Sequence, residues 1–222
     1  MIDIVIIGQN EKDSIQKMLS SLKRCLPNAR RVWVLDRCTD GSDKILESLN
    51  EFFVTTDFNK EDGRKVSSCR NLGLKNTRSE SDVIFMDGDR FIKTFCNGFT
   101  KIKKDIVLFP VEDDERDDPK WFKKYNQVYG HLHNGFYSCG LYMRRSAINR
   151  VLDFQGELFD TSIEGYWGVE DVHLGDVCFH LGLTCDIYWK IRLNGHFDKE
   201  KRIPLDAWRA RVKKRLPLNV IW

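Results

Sequence analysis

The sequence predicts an α/β fold: a single domain built on a mostly parallel central sheet covered by helices on both faces. Three observations lead there. Short apolar runs, "IDIVII", "RVWVLD" and "DVIFMD", recur through the first half of the chain. Each is apolar at consecutive positions rather than at every second one, the pattern of strands buried on both faces. Between them, apolar residues return at helical spacing, and helices that join such strands make parallel pairs.

Residues 2–7 are the first strand, and a helix follows from about Asp13, with Ile15, Met18, Leu19 and Leu22 on one face. Asp13 and Gln16 have the spacing of a capping pair at its start. "RVWVLD" (31–36) is the second strand, "SDKILESL" (42–49) the second helix and "FFVTT" (52–56) a short third strand. "RKVSSCRNLGL" (64–74) continues as the third helix and "DVIFMD" (82–87) as the fourth strand. The second half changes character. "DIVLFP" (105–110) is a further strand, and "VEDDERDDPK" (111–120) is an acidic, solvated loop. Residues 121–145 are rich in aromatics and histidines, "WGVEDVHLGDVCFHLGL" (167–183) resumes helical periodicity, and "TCDIYWKIR" (184–192) reads as one late strand. No repeat, low-complexity tract or linker divides the chain. Residues 1–198 form the domain, in halves 1–110 and 111–198, and 199–222 form a basic C-terminal helix or tail.

The 222 residues suffice for a full core without staples, since a unit of this size buries roughly 70% of its unfolded surface. A net charge of +3 predicts by itself neither a nucleic-acid nor a membrane partner. No apolar run approaches the roughly 18 residues of a membrane span. The apolar N-terminus has no basic leader and no small-residue cleavage site, so it reads as a strand and not a signal peptide. Seven cysteines, an odd number without a CxxC pair, read as reduced thiols of a cytoplasmic protein.

Ligands of parallel sheets bind beyond the carboxyl ends of the strands, so the polar residues there carry the functional information. The first strand ends in "GQNE", the second in "DRCTDGS" and the fourth in "DGD". Asp36 alone suits a turn or a helix cap. Asp87 and Asp89 alone suit a solvated Asp-Gly turn, yet two like charges about 5 Å apart repel by roughly 3 kcal/mol at an effective dielectric of 20. A positive group must offset that. Carboxylates at i and i+2 around a glycine suit a divalent cation held by hard oxygens, Mg²⁺ or Mn²⁺, which would also bind substrate phosphates. No Gly-rich phosphate loop occurs, and Arg64, Lys65 and Arg70 stand just before the fourth strand, where they can grip phosphates or simply face solvent. Glu170 and Asp171 begin a helical run. They are either favoured there by the helix dipole or serve as a general base and hydroxyl partner. His196 follows the late strand, as a packed histidine or a ligand.

Together these pieces resemble the family 2 glycosyltransferases of the GT-A fold, over roughly residues 1–198. "VIIGQNE" is similar to the family's opening strand and loop, and "VLDRCTDGS" to its nucleotide-recognition turn. "RKVSSCRNLGLKNTRSESDVIFMDGDR" is similar to its helix, Arg-Asn-x-Gly segment and Asp-x-Asp motif. "FYSCGLYMRRSAI" is similar to its acceptor-side loop and "GELFDTSIEGYWGVEDVHLG" to its Glu-Asp motif. The resemblance implies a GT-A-like, Rossmann-like domain with a nucleotide-sugar-binding first half and an acceptor-side second half. It implies nucleotide-sugar contacts from Gly8, Asn10, Glu11, Asp36, Arg37, Lys65, Arg70, Asp87 and Gly88, and Mn²⁺ or Mg²⁺ held by Asp89, Asp87 and His196. Gly140, Trp167 and Gly168 would contact acceptor or sugar. Asp171 would be the base and Glu170 would orient the acceptor, in an inverting transfer from a nucleoside-diphosphate sugar, with uridine diphosphate the family's commonest carrier. The hydroxyl acceptor stays open among a glycan, a lipid-linked sugar, a protein and a hydroxyl-bearing DNA base. The basic residues of 199–222 either pack on the domain with a solvated basic side or bind nucleic acid or an acidic membrane. Arg37 stands where many relatives have a second acid, and Val169 where they have a glycine or aromatic. Without a membrane helix or extra domain, a polymerising synthase is not expected. The competing readings are a nucleotidyltransferase on a similar sheet and a nucleotide-sugar-binding protein without catalysis.

Overall fold

The structure, a computed structural model, describes residues 1–57, 65–94, 98–101, 103–111, 139–163, 169–188 and 190–194. The elements are β1 (Ile2–Gly8), α1 (Ile15–Cys25), β2 (Arg30–Asp36), α2 (Ser42–Ser48), β3 (Phe53–Thr56), α3 (Val66–Lys75), β4 (Asp82–Asp87), β5 (Ile92–Thr94), β6 (Ile106–Leu108), β7 (Leu141–Met143), α4 (Arg145–Gln155), α5 (Val169–His180), β8 (Cys185–Ile187) and β9 (Arg192–Leu193). Seven strands form one sheet in the order β3-β2-β1-β4-β7-β6-β8. The pairs β3–β2, β2–β1, β1–β4 and β6–β8 are parallel, while β7 runs antiparallel to both neighbours. The sheet is therefore mostly parallel.

The continuous apolar runs are explained by two cores, one on each face. Ile4 and Ile6 of β1 and Ile84 and Met86 of β4 face α1, where they meet Ile15, Met18, Leu19 and Leu22. Val5, Val83 and Phe85, one position out of step, join Leu141, Met143, Ala147, Ile148, Val151, Leu174 and Val177 on the other face. Each fully buried Val, Leu or Ile contributes about 1.5–3 kcal/mol, so a one-residue slip that turned these strands over would have no solvent face to accept them. Gly73 lets α3 lie close to the sheet: a Cβ there would stand 2.3 Å from Val5 Cγ1.

Three expectations are corrected. The Asp13–Gln16 capping pair does not form: Ser14 is the N-cap residue and no side chain caps the helix. The Ser14 hydroxyl is directed elsewhere, 2.8 Å from Gly88 O and 3.0 Å from Glu11 Oε2, tying the start of α1 to the Asp-Gly-Asp turn. Residues 184–192 are not one strand. After β8 the chain turns, with Ile191 N–H donating to Tyr188 O at 3.2 Å, and β9 pairs with β5 in a separate two-stranded sheet. Part of the stretch read as an acceptor-side loop is instead core: β7 is the antiparallel insertion between β4 and β6. The end of that stretch opens α4, which buries Ala147, Ile148 and Val151 and stops at Gly156 with φ of 84°. The acidic loop from 112 and the basic segment 199–222 lie outside the described residues.

Candidate active site

Two loops at the carboxyl edge of the sheet are stitched together. The Asn10 side chain accepts a hydrogen bond from Thr39 N at 2.8 Å, Ser42 Oγ accepts one from Glu11 N at 2.9 Å, and Asp40 Oδ2 accepts one from Lys12 N at 2.9 Å. Asn10 and Arg37 both take left-handed backbone conformations, φ 61° and 51°, so the chain reverses sharply where β1 and β2 end. That reversal brings Arg37 back onto its neighbour. Its Nε and Nη2 lie 2.9 and 2.8 Å from Asp36 Oδ2, while Thr56 donates to Oδ1 at 3.0 Å. Asp36 is thus a buried carboxylate held in a fixed orientation beside a guanidinium.

The Asp87-Gly88-Asp89 turn lies next to these loops. Gly88 N–H donates to Ile7 O at 2.7 Å, and Arg90 N–H closes the turn on Asp87 O at 3.0 Å. The Glu11 side chain covers both glycines: a Cβ on Gly8 would lie 2.6 Å from Glu11 Cγ, and one on Gly88 2.8 Å from it. Burial, then the charges of Asp89 and Asp87, push the Glu11 carboxyl above its ordinary range. The Asp89 side chain is 49% exposed and has Arg90 Nε at 3.2 Å. Glu11, Asp87 and Asp89 make an acidic, oxygen-only corner, the donor chemistry of Mg²⁺ or Mn²⁺. Among the described residues no three His, Cys, Asp or Glu side chains converge as a ready metal cage. A cation here would take its remaining ligands from substrate phosphates and water, as Mg²⁺ commonly does.

The positive group opposite Asp87 is Arg70. Its Nη2 lies 3.0 Å from Asp87 Oδ1, and its Nη1 lies 3.2 Å from Glu170 Oε1 and 3.6 Å from Asp171 Oδ1. The guanidinium is buried and sits 5.4 Å above the Phe159 ring. Burial alone would lower its proton affinity, but the three carboxylates outweigh burial and raise it, so the guanidinium stays firmly protonated. The same burial, followed by repulsion from Asp171, pushes Glu170 up to about 7 against the pull of Arg70. Glu170 and Asp171 stand in the first turn of α5.

The sequence-derived candidates therefore divide. Arg70 binds carboxylates here where phosphate contacts were expected, and Lys65 stands at the N-cap of α3. Gly140 is buried at φ 98°, and a Cβ there would lie 2.6 Å from Leu193 Cδ1 and 3.0 Å from Phe109 O. Close packing beside β7 thus accounts for that glycine. Arg64, Trp167, Gly168 and His196 lie outside the described residues. No role was anticipated for Asn71, Asp40 or Ser14, although the Arg-Asn-x-Gly segment includes Asn71. Asn71 could have been found as the unexplained amide in "CRNLG", while Asp40 and Ser14 read as ordinary turn and cap residues.

The profile described as Glycosyl transferase family 2 matches residues 3–152, more than half of the chain. The chain belongs to glycosyl transferase family 2. Among curated proteins, none matches it significantly. Solved structures share its fold. S. aureus TarS 1–349, in complex with UDP, is 16% identical with a TM-score of 0.65, over 87% of this chain and 60% of that one. The mannosyltransferase PcManGT from Pyrobaculum calidifontis, in complex with GDP-Man and Mn²⁺, is 15% identical with a TM-score of 0.61, over 95% and 60%. Glucosyl-3-phosphoglycerate synthase from Mycobacterium tuberculosis, in complex with Mn²⁺, UDP and phosphoglyceric acid, is 15% identical with a TM-score of 0.59, over 96% and 75%. The likeness is one of fold, and the family 2 chain spans about 60% of the length of TarS 1–349. Among the described residues no helix is long and apolar enough to cross a membrane.

Proposed function

We propose that this family 2 chain transfers a sugar from a nucleoside-diphosphate sugar, UDP-linked, to a hydroxyl acceptor with inversion at the anomeric carbon. The observation that carries the reading is the convergence on Arg70 of Asp87, from the cation corner, and of Glu170 and Asp171, from α5. An inverting displacement needs a leaving-group stabiliser and a base on opposite sides of the sugar, and these two acidic groups face each other across one guanidinium.

Asp36 accepts an N–H of the base while Arg37, beside it, donates to a base carbonyl. Asp87 and Asp89 would hold Mn²⁺ or Mg²⁺, which when bound would supply charge stabilisation to a diphosphate leaving group. Asp171 takes the proton of the acceptor hydroxyl as the oxygen forms its bond to the anomeric carbon and the bond to the diphosphate oxygen breaks. Arg70 keeps that carboxylate oriented. Glu170, whose raised proton affinity lets it hold a proton near neutral pH, spares the pair a second full charge and orients the acceptor. The acceptor is a glycan or nucleic-acid hydroxyl.

Titrating UDP and GDP with and without Mn²⁺, then following hydrolysis of UDP-glucose, UDP-GlcNAc and GDP-mannose by NMR, tests the reading. Metal-dependent binding of UDP and release of the inverted anomer are expected. Absence of metal-dependent binding of either nucleotide overturns it.

A further inference from the structure

Next to Arg70 on α3, Asn71 makes contacts that catalysis as proposed above does not use. Its Oδ1 accepts the Phe159 N–H at 3.0 Å, and its Nδ2 donates to Phe159 O at 2.7 Å and to Glu157 Oε2 at 3.2 Å. A side-chain amide paired with both backbone groups of one residue fixes that residue as a strand partner would. Glu157 in turn caps the segment, its Oε1 accepting Thr161 N–H at 2.7 Å and Thr161 Oγ1 at 3.0 Å. The segment is also tied to α5: His173 Nε2 lies 3.6 Å from Asp160 Oδ2.

Phe159 is what this latch holds. Its ring is fully buried, packs edge-on against Phe85 of β4 at 5.1 Å and forms the floor beneath the Arg70 guanidinium. Arg70 is thus positioned from below by Phe159 and from the sides by its carboxylates. Phe159 has no polar side-chain atom of its own, so Asn71 sets its backbone.

We propose that Asn71 is a positioning residue: by latching Phe159 and Glu157, it places the floor under Arg70 and so sets where Asp171 points. The inference rests on Asp171 as the base. It assigns Asn71 no contact with substrate.

The test is Asn71→Asp, which keeps the shape and the acceptor but sets a carboxylate oxygen against Phe159 O and Glu157. Three quantities are read with the full chain: kcat and KM for UDP-glucose hydrolysis with Mn²⁺, the Kd of Mn²⁺–UDP, and amide hydrogen exchange. A displacement near 1 Å at the base predicts a fall in kcat of about 10- to 100-fold, with KM and Kd within about two-fold. Exchange quickens at 157–161 and 170–174 and stays unchanged in β1 and β2. Adding Glu157→Gln, which removes one of the opposed carboxylates, restores part of kcat. Unchanged kcat with quickened exchange at 157–161 overturns the inference, because the latch then only stabilises the loop. If Asn71→Asp does not fold, Asn71→Ser must show the same split between kcat and binding, and equal losses of both overturn it. If the wild type neither binds Mn²⁺–UDP nor hydrolyses a sugar nucleotide, the functional reading fails by itself. Exchange at 170–174 then decides, quickening in support and constancy against.

Discussion

Arg70 and Glu170 stand 100 positions apart in the chain and meet at 3.2 Å inside the protein. One arm of the same guanidinium reaches Asp87, so the first and second halves of the chain share a single buried cation. Arg70→Met would leave those acids in low dielectric without it. Removing one partner of a buried ionic group costs about 3–5 kcal/mol, and we expect a loss of that size in urea unfolding. Arg70→Lys keeps the charge but not the planar fork and should recover only part of it. A loss below about 1 kcal/mol, the range of exposed ion pairs, would show that the group is solvated.

Glu170→Gln should stabilise the protein above neutral pH. Glu170 is raised from an ordinary value of 4.5 to about 7 in the folded state. A carboxyl raised by folding contributes stability that is fully present below its unfolded value and is lost as pH climbs through the folded one. The uncharged variant does not suffer that loss. Its advantage should therefore be near zero below about pH 4.5 and on the order of 1–3 kcal/mol at pH 8, at about 1.4 kcal/mol per pKa unit. Thermal unfolding at the two pH values checks it, and a variant less stable at pH 8 refutes it.

Asp89→Ala should remove the Mn²⁺ dependence of UDP binding while leaving the fold intact, because its side chain is 49% exposed. Calorimetric titration of UDP with and without Mn²⁺ measures this. An unchanged metal requirement would move the cation to other residues.

Asp171→Asn preserves shape and removes basicity, so sugar transfer or hydrolysis should slow by about 10²- to 10⁴-fold. The Kd of Mn²⁺–UDP should hold within about two-fold, since the proposed nucleotide contacts do not include Asp171. Near-wild-type turnover would pass the role to Glu170.

Gly73→Ala sets two effects against each other. Alanine favours a helix interior by about 1 kcal/mol over glycine. Yet the added Cβ would meet Val5 Cγ1 at 2.3 Å and Val34 Cγ2 at 3.3 Å, between a helix and a sheet that cannot both yield. Overpacking of this kind costs about 1–3 kcal/mol and should win, lowering the thermal midpoint. Combining it with Val5→Ala should recover part of the loss, and a raised midpoint in Gly73→Ala alone would refute the clash.

The parallel strands were legible because both faces of β1, β2 and β4 are buried, which leaves an uninterrupted apolar signature. β7 was not, since three residues beside Gly140 carry no period of their own and their pairing with β4 and β6 is decided by tertiary contact. The positive group that offsets the repulsion of Asp87 and Asp89 was only half legible in the sequence. The acids of the corner could be read, but the positive group expected was a metal or phosphate-gripping side chains. No local pattern reveals that Arg70 would be buried between Asp87 and residues 100 positions onward. Asn71 escaped for the same reason, its partners Glu157 and Phe159 being 86 and 88 positions away.

The pairing of β5 with β9 bears on the order in which a growing chain can complete this edge. Residues 92–94 leave the ribosome nearly a hundred residues ahead of the strand that pairs with them, and Phe91 must wait as long for Asn194, whose Oδ1 accepts its N–H at 2.6 Å. The parallel strands β1 to β4 are local to the first part of the chain and can pack early, whereas distant pairings form late. Synthesis thus completes the edge that carries Asp36 and the Asp87-Gly88-Asp89 turn before α5 and β9 exist. A nascent chain that ends at residue 152, where the family match stops, has β1 through β4 in full yet offers Arg70 neither carboxylate of α5.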